Sequence, residues 1–236
     1  MLKEVIEKII DLSHARPFEV DGRQYTTKPI HPVKEPVAET VILGTLTGLA
    51  DYLKADADKI NPAANLIHVE SFQSVALISS CAGRPFRQRE KLIHAAADNP
   101  KFPFGQFMDV ESFIIRLQSQ FVQTDQTVAI LRVVGNVTDS AVKQFSDDGV
   151  TQQVTAKAGV SRVQDLPVPN PVILAPFRTF LEIEQPESKF VFRMRSGDPA
   201  PTCAIFEADG GAWKNEAVRN IKGRLEFHTK DIAVIA

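Results

Sequence analysis

The stretch Lys189-Phe190-Val191-Phe192-Arg193-Met194-Arg195 decides the fold of the second half of this chain. Its apolar residues alternate with basic ones, and successive side chains of an extended chain point to opposite faces of a sheet. The pattern therefore predicts a strand that covers a core. Ser196-Gly197-Asp198-Pro199 supplies turn residues, and Thr202–Phe206 is a second apolar run. Together these segments predict a β-hairpin with a long loop.

A helix is expected after this hairpin. Asp209 is placed to cap a helix that runs from about Gly211 to Phe227. Four apolar residues recur on one face of it at a spacing of four, namely Trp213, Ala217, Ile221 and Leu225. Trp213 is therefore expected to be buried. The apolar run Asp231–Ala236 predicts a final short strand.

The first half mixes helices with hairpins, so the sequence predicts an α+β fold, with a largely antiparallel sheet packed on a helix in the second half. The predicted helices are Leu2–Ile10, a segment capped by Thr47 and stopped at Asn61, Arg87–Ala96, Val110–Phe121 and Thr127–Val137. The predicted strands are a hairpin over Phe18–Thr26, then Thr40–Leu43, Leu66–Glu70 and Val75–Ser80. From Val150 onward the period becomes two. We place a subdomain boundary at the turn Ser146–Gly149, between residues 1–146 and 147–236.

Composition limits the function classes. The 236 residues carry a formal net charge of -2, which predicts no global attraction to nucleic acid or to an anionic membrane. The two cysteines, Cys81 and Cys203, suggest no disulfide framework, so a reducing cytoplasm is expected. The charged start Met1–Lys8 does not resemble a signal peptide, and no apolar run is long enough to span a bilayer.

The motif inventory predicts no catalytic residue, no metal ligand and no cofactor. Glycine-rich phosphate loops, Cys-x-x-Cys pairs and Gly-x-Ser-x-Gly elbows are absent from the sequence. His68 and Glu70 share a strand face at a spacing used by zinc deaminases, but the cysteine pair that completes such a site is missing. Glu207–Gly211 allows a ligand to approach a helix N-terminus, although its two carboxylates repel phosphate. A capped turn that lets Trp213 pack closely is the preferred interpretation.

Two groups of basic residues are candidate ligand contacts. Strand alternation places the first group on the outer face of one sheet, where phosphates can bind: Lys157, Arg178, Arg193 and Arg195. The second group lies in a loop with Phe86 between the charges, a combination suited to single-stranded nucleic acid: Arg84, Arg87 and Arg89. The alternatives are a solvated face balanced by Glu182 and Glu184, and a solvated loop.

Several segments resemble an uncharacterised family of bacteriophage and prophage proteins from Gram-positive hosts. These segments are Gly44–Lys54 (GTLTGLADYLK), Ile67–Ser71 (IHVES), Phe104–Phe113 (FGQFMDVESF), Asp147–Val154 (DDGVTQQV), Asn170–Phe180 (NPVILAPFRTF), Gln185–Phe192 (QPESKFVF) and Phe206–Trp213 (FEADGGAW). The resemblance covers most of the chain beyond the first helix. It implies a phage early-region setting inside a bacterial host cell, and it identifies no catalytic residue that could be carried over to this chain.

Three functions stay open at the level of sequence. The favoured hypothesis is a phage accessory protein that binds nucleic acid or a nucleotide, in support of replication or recombination or against a host defence signal. The second is a homo-oligomeric assembly module built on apolar strand edges. The third is an enzyme whose site comes from distant residues. The sequence favours binding over catalysis.

Overall fold

A computed structural model describes most of the chain. The described residues are 2–28, 37–81, 89–138, 144–147, 152–157, 163–168, 170–195, 201–229 and 231–236; for residues 12, 136–138, 144–147, 152–157 and 163–168 the description covers the backbone. Two compact units, residues 1–38 and 39–236, make up the chain. No helix within the described ranges combines the length and the apolar character needed to cross a bilayer.

The first unit is a helix followed by a hairpin. Its elements are α1 (Leu2–Ser13), β1 (Pro17–Val20) and β2 (Arg23–Thr26). Asp21 and Gly22 both have positive φ, which matches the tight Asp-Gly turn predicted from sequence. Phe18 and Tyr25 face each other across the hairpin and stack with ring centres 5.8 Å apart. The apolar side chains of α1 are exposed: Leu2, Val5, Ile6, Ile9 and Ile10.

The second unit contains the remaining elements. Its helices are α2 (Leu46–Ala55), α3 (Val110–Gln120), α4 (Asp125–Thr138) and α5 (Trp213–His228), with a 3₁₀ turn at Pro62–Ala64. Its strands are β3 (Val41–Leu43), β4 (Asn65–Ser71), β5 (Ser74–Ser79), β6 (Lys91–Ala96), β7 (Met108–Asp109), β8 (Gln144–Asp147), β9 (Gln152–Lys157), β10 (Val163–Val168), β11 (Val172–Leu174), β12 (Ser188–Arg195), β13 (Thr202–Glu207) and β14 (Ala233–Ile235). Helices and mixed sheets together confirm the α+β class.

A five-stranded sheet has the order β14-β4-β5-β6-β3. β14 runs parallel to β4 and β3 parallel to β6, whereas the inner pairs are antiparallel. Helices α2 and α5 cover one face, and their Leu49, Ile221 and Leu225 pack with Ile67 and Leu77 of the sheet. The spacing of four along α5 thus buries the face that the sequence predicted.

A four-stranded sheet has the order β11-β12-β13-β7. Along β12 the side chains alternate between buried Phe190, Phe192 and Met194 and the outer face, which confirms the predicted period of two. The β12 and β13 strands pair antiparallel, as the hairpin prediction required. Phe113 of α3 and Ile130 of α4 close the core beneath this sheet. Strands β8, β9 and β10 form a separate antiparallel sheet.

Three local predictions are corrected by the fold. Residues 91–96, predicted as part of a helix, form strand β6, because Ile93 and Ala95 pair inside the five-stranded sheet and both are fully buried. Thr45 caps α2 in place of Thr47: its hydroxyl oxygen accepts a hydrogen bond from the Gly48 N–H. Helix α5 packs mainly against β4 and β14 of the five-stranded sheet, whereas the sequence predicted that it covers the antiparallel sheet that precedes it in the chain.

The subdomain boundary predicted at Ser146–Gly149 stays a prediction, since residues 148–151 lie outside the described part of the chain. One core cluster joins Phe113, which precedes this boundary, to Phe190 and Phe192, which follow it.

Candidate functional site

Arg178 is the main correction to the predicted sites. It does not lie exposed on a strand: it follows β11 in an irregular segment and is only 8% exposed. Its guanidinium carbon lies 3.7 Å from the centre of the Trp213 ring and 5.6 Å from that of Phe190. The expectation of one exposed face that includes Arg178 is therefore wrong, because aromatic rings cover this arginine.

The other three residues of that group lie in two sheets. Lys157 belongs to β9, and its side chain lies outside the described part of the structure. Arg193 and Arg195 share the outer face of β12. Arg193 is half-buried, and its Nη1 donates to the Phe192 carbonyl oxygen at 3.3 Å. Arg195 is exposed and lies over the Phe107 ring at 3.9 Å. Their role in ligand binding stays a prediction.

In the second basic group, Arg84 and Arg87 lie outside the described residues. Arg89 is exposed, and its Nη1 donates to the Ser79 carbonyl oxygen at 2.9 Å. This bond holds the arginine against the end of β5. Its proposed contact with nucleic acid also stays a prediction.

Arg178 lies on the wall of a cavity of about 330 Å³. Most of the wall is apolar and aromatic, because α3, the turn between β4 and β5, the loop around Pro100 and the start of α5 converge there. The lining residues are Phe72, Gln73, Asn99, Pro100, Lys101, Phe102, Phe104, Gln120, Pro176, Phe177, Arg178, Glu207 and Trp213. A small cleft with aromatic walls and a few polar groups is the usual form of a ligand site.

Hydrogen bonds to neighbouring side chains and backbone groups hold the segment that carries Arg178 in place. Gln185 Oε1 accepts from the backbone N–H of Arg178 at 3.1 Å. Gln73 Nε2 donates to the Arg178 carbonyl oxygen at 3.1 Å, and Asn99 Nδ2 donates to that of Thr179 at 2.6 Å. The Phe177 N–H donates to the carbonyl oxygen of Gln120 at 2.8 Å. This part of the cavity wall is therefore fixed before any ligand arrives.

The guanidinium of Arg178 is held as firmly as its backbone. Nη1 donates to Glu207 Oε1 at 2.9 Å, and Nη2 donates to the Ser188 hydroxyl and, at 3.4 Å, to the Pro186 carbonyl oxygen. Burial lowers the pKa of Arg178 to about 10, while the charges of Glu207 and Asp209 raise it. The arginine therefore stays protonated at neutral pH and brings a positive charge to the cavity.

The segment Glu207–Gly211 forms a turn, as the sequence predicted, but the prediction that Asp209 caps α5 is wrong. The N-cap of α5 is Ala212, and no side chain caps the helix. Asp209 Oδ1 accepts from the Gly211 N–H at 3.0 Å, and Gly210 and Gly211 both have positive φ. Burial raises the pKa of Asp209, but hydrogen bonds from Gly211, Ser188 and Trp213 and the charge of Arg178 lower it below its ordinary value. The turn places Trp213 in the cavity wall. There its ring makes a T-shaped contact with the Phe72 ring, with ring centres 4.7 Å apart.

Three residues that line this cavity each have one buried polar atom without a hydrogen-bond partner. In the described part of the chain, the buried side-chain nitrogens and oxygens without a hydrogen bond are Gln120 Oε1, Arg178 Nε and Trp213 Nε1. All three residues line the same cavity. Buried polar groups are nearly always paired, so unpaired ones call for an explanation such as a missing ligand or water. Their convergence makes this cavity the candidate binding site.

Two other arrangements lack this signature. A cavity of about 360 Å³ between α2 and the end of α5 is lined by Tyr52, Asp58 and His228 among others, and none of the three unpaired residues lines it. On the five-stranded sheet, Glu70 accepts from Ser74 Oγ and from Lys91 Nζ, both at 2.7 Å, and Ser74 Oγ lies 2.9 Å from His94 Nε2. These groups satisfy one another. Among the described side chains, no three or more metal-binding groups cluster.

Sequence reasoning reached part of this site. The sequence singled out Arg178 as part of a basic sheet face and Trp213 as a core residue. It did not indicate Gln120 or the phenylalanines of the loop at residues 100–107 as parts of a site. A Phe- and Pro-rich loop at residues 100–107 was the available signal, since buried aromatic loops line many clefts. Comparisons with protein-family models, with curated proteins and with solved structures found no match for this chain.

Proposed function

We propose that this protein binds a nucleotide in the aromatic cavity beside Trp213. The observation that carries the proposal is that Gln120, Arg178 and Trp213 line one cavity and that each has a buried polar atom without a hydrogen-bond partner. A ligand that supplies both hydrogen-bond donors and acceptors satisfies them. This proposal keeps the nucleotide alternative of the sequence hypothesis but places the ligand in a different site from the basic sheet face.

The shape and lining of the cavity support a planar ligand. Five of the lining residues are aromatic, namely Phe72, Phe102, Phe104, Phe177 and Trp213. Stacking on an aromatic side chain is worth about 1 to 3 kcal/mol per base. The volume of about 330 Å³ lies at the small end of the range for ligand sites, which suits one base with part of its sugar.

The charges on the wall support an anionic group at the mouth. Lys101 is exposed and lines the cavity, so its ammonium can pair with a phosphate without being desolvated. Glu207, the one carboxylate among the lining residues, is already paired with Arg178. A base inside and a phosphate outside is therefore the orientation that we propose.

Trp213 allows a direct test because it is the one tryptophan of the sequence. Titration with nucleoside monophosphates should change its fluorescence saturably, and calorimetry should give the same dissociation constant. Gln120→Ala should weaken binding about tenfold, since it removes one buried hydrogen-bond partner. Gln118→Ala is the matched control, because Gln118 is exposed on the same helix and does not line the cavity.

Two results would contradict the proposal. One is the absence of a saturable response to every mononucleotide up to millimolar concentration. The other is equal weakening by Gln118→Ala and Gln120→Ala. A single-stranded oligonucleotide belongs in the same titration. If it binds and mononucleotides do not, then Arg193 and Arg195 on the outer face of β12 become the better candidates for contact with nucleic acid.

A second candidate function, homo-oligomeric assembly, has its own observation in its favour. Helix α1 exposes five apolar side chains, from 78% at Leu2 to 49% at Ile6. An exposed apolar stripe of this kind is a common association surface. The test is sedimentation of the full chain and of an Ile6→Asp, Ile9→Asp variant. A monomer in both cases removes this candidate.

We place the protein in the cytoplasm of a bacteriophage-infected bacterium. The resemblance of its segments to phage and prophage proteins supports this setting. Native mass spectrometry of protein purified from infected cells reports the bound ligand and the oligomeric state together. An empty monomer from such cells would contradict both candidate functions.

A further inference from the structure

The outer face of the four-stranded sheet is basic. Alternate side chains of β12 and β13 enter the core that α3 and α4 close, so the side chains between them lie on the opposite face of the sheet. On β12 these outer positions hold Lys189, Val191, Arg193 and Arg195, and on β13 they hold Thr202, Ala204 and Phe206. One strand thus carries three cations along a single face.

Two phenylalanines lie on the same face as these cations. Strand β7 pairs Met108 with Cys203, whose side chains both contact the core, so Phe107 lies on the outer side of the sheet. The guanidinium carbon of Arg195 lies 3.9 Å from the centre of the Phe107 ring. Phe107 in turn makes a T-shaped contact with Phe206, with ring centres 6.0 Å apart. The face therefore combines cations with aromatic rings.

The charge of this face differs from that of the whole chain. Among the outer positions of the four strands, Asp109 of β7 is the one carboxylate, and its Oδ1 accepts from the Ser112 N–H at 2.8 Å as the cap of α3. Three cations against one engaged carboxylate leave the face positive, although the chain has a formal net charge of -2. A local patch of this kind attracts an anionic partner that the net charge does not.

We propose that this face binds a single strand of nucleic acid, at a site separate from the aromatic cavity and independent of the nucleotide proposal. From Lys189 to Arg195 the strand spans about 20 Å, at about 3.4 Å per residue, so its cations can pair with more than one phosphate. The half-buried Phe206 and the exposed guanidinium of Arg195 offer planar surfaces on which bases stack. None of these residues lines the cavity.

A single strand fits this face better than a duplex. Bases reach aromatic rings and guanidinium planes only when they are unstacked from their neighbours, and a duplex keeps them inside. Four-stranded sheets in RNA-binding modules use aromatic side chains to stack two or three bases in this way. Deoxyribose and ribose strands share the phosphates and bases that this inference requires.

Fluorescence anisotropy of labelled oligonucleotides of about twelve nucleotides tests the inference on the full chain. Deoxythymidine and uridine strands should bind saturably at low salt, and three phosphate contacts predict a slope of log K against log salt of about -2. Saturable binding of either strand supports the inference. No binding of either strand at low salt would overturn it, as would a duplex of the same length that binds as tightly as the single strand.

Substitutions of Arg195 separate its charge from its planar group. Arg195→Ala should weaken binding and make the salt slope shallower by about 0.7, because one phosphate contact is lost. Arg195→Lys keeps the charge but not the plane, so binding should weaken several-fold at an unchanged slope. Arg132→Ala is the matched control, because Arg132 is exposed on α4, the helix that covers the inner face of the sheet. Equal weakening by Arg132→Ala and Arg195→Ala would overturn the inference.

Phe206 provides a second test. Phe206→Leu keeps an apolar side chain but removes the ring, so binding should weaken about fivefold or more, whereas Phe206→Tyr keeps the ring and should bind like the unsubstituted chain. Circular dichroism confirms beforehand that each variant is folded. Undiminished binding by Phe206→Leu would overturn stacking on this face.

Gln120→Ala distinguishes the sheet face from the cavity. Gln120 lines the cavity, so its replacement should weaken the binding of mononucleotides and leave that of the oligonucleotide unchanged. If Gln120→Ala weakens oligonucleotide binding as much as Arg195→Ala does, then the strand enters the cavity and the inference about the sheet face fails. If mononucleotides do not bind but the oligonucleotide still depends on Arg195, the nucleotide proposal fails and the sheet-face site stands.

Discussion

Replacement of Trp213 by alanine tests the packing around the cavity most directly. Trp213 is 6% exposed, lies under Arg178 at 3.7 Å and meets Phe72 edge-on. A buried aromatic side chain removes about 200 Å² from water, which at about 25 cal/mol per Å² corresponds to about 5 kcal/mol. This area is an upper bound and alanine keeps part of it, so the free energy of unfolding should fall by about 3 to 5 kcal/mol.

Trp213→Phe is the matched control. Phenylalanine keeps a ring beneath the guanidinium and removes an N–H that has no partner, so the gain from losing an unpaired donor offsets part of the lost area. The expected loss is about 1 kcal/mol. Urea denaturation followed by far-UV circular dichroism measures both variants, since the tryptophan signal is gone. A loss below about 1 kcal/mol for the alanine variant would refute the burial of Trp213, as would native fluorescence that acrylamide quenches as fully as in the unfolded chain.

Three further predictions concern other parts of the fold. Thr45→Ala should lower the free energy of unfolding by about 1 kcal/mol, because it removes the cap of α2. Thr47→Ala should change it by less than about 0.5 kcal/mol. Equal effects of the two substitutions in urea denaturation would contradict the cap assignment. Burial raises the pKa of Cys203 to about 12, so a thiol reagent at about pH 8 should react with the half-buried Cys81 first and with Cys203 only after unfolding. Fast reaction of both thiols in the native protein would contradict this prediction. Hydrogen bonds from Lys91 and Ser74 hold the pKa of Glu70 below its ordinary value of 4.5, so the Glu70 contribution is present above that pH and is lost as the pH falls through the lowered value. Glu70→Gln should accordingly destabilise by about 0.5 to 1 kcal/mol at pH 7 and by progressively less in acid, and a gap that stays constant down to about pH 2 would show that the ion pair is not its source.

The Glu207–Gly211 turn shows which features of the site local sequence predicts and which depend on the tertiary structure. Asp and Gly at these positions predict a tight turn, because Asp accepts local backbone hydrogen bonds and Gly adopts positive φ. The turn and the buried Trp213 were therefore predictable. The position of Arg178 over that ring was not, because it requires the chain to bend after β11 and bring together residues that are 35 positions apart.

Local periodicity by itself determined the α+β class, most element positions and the buried face of α5, because alternation and helical spacing depend only on neighbouring residues. It failed at 91–96, where Lys91–Ala96 fits a helix locally but becomes an inner strand through pairing with β5 and β3. Only the tertiary structure decided which sheet α5 covers and where Arg178 lies. It also decided that Gln120, Arg178 and Trp213 line one cavity, since each comes from a different segment and the absence of a hydrogen-bond partner depends on every group that surrounds an atom.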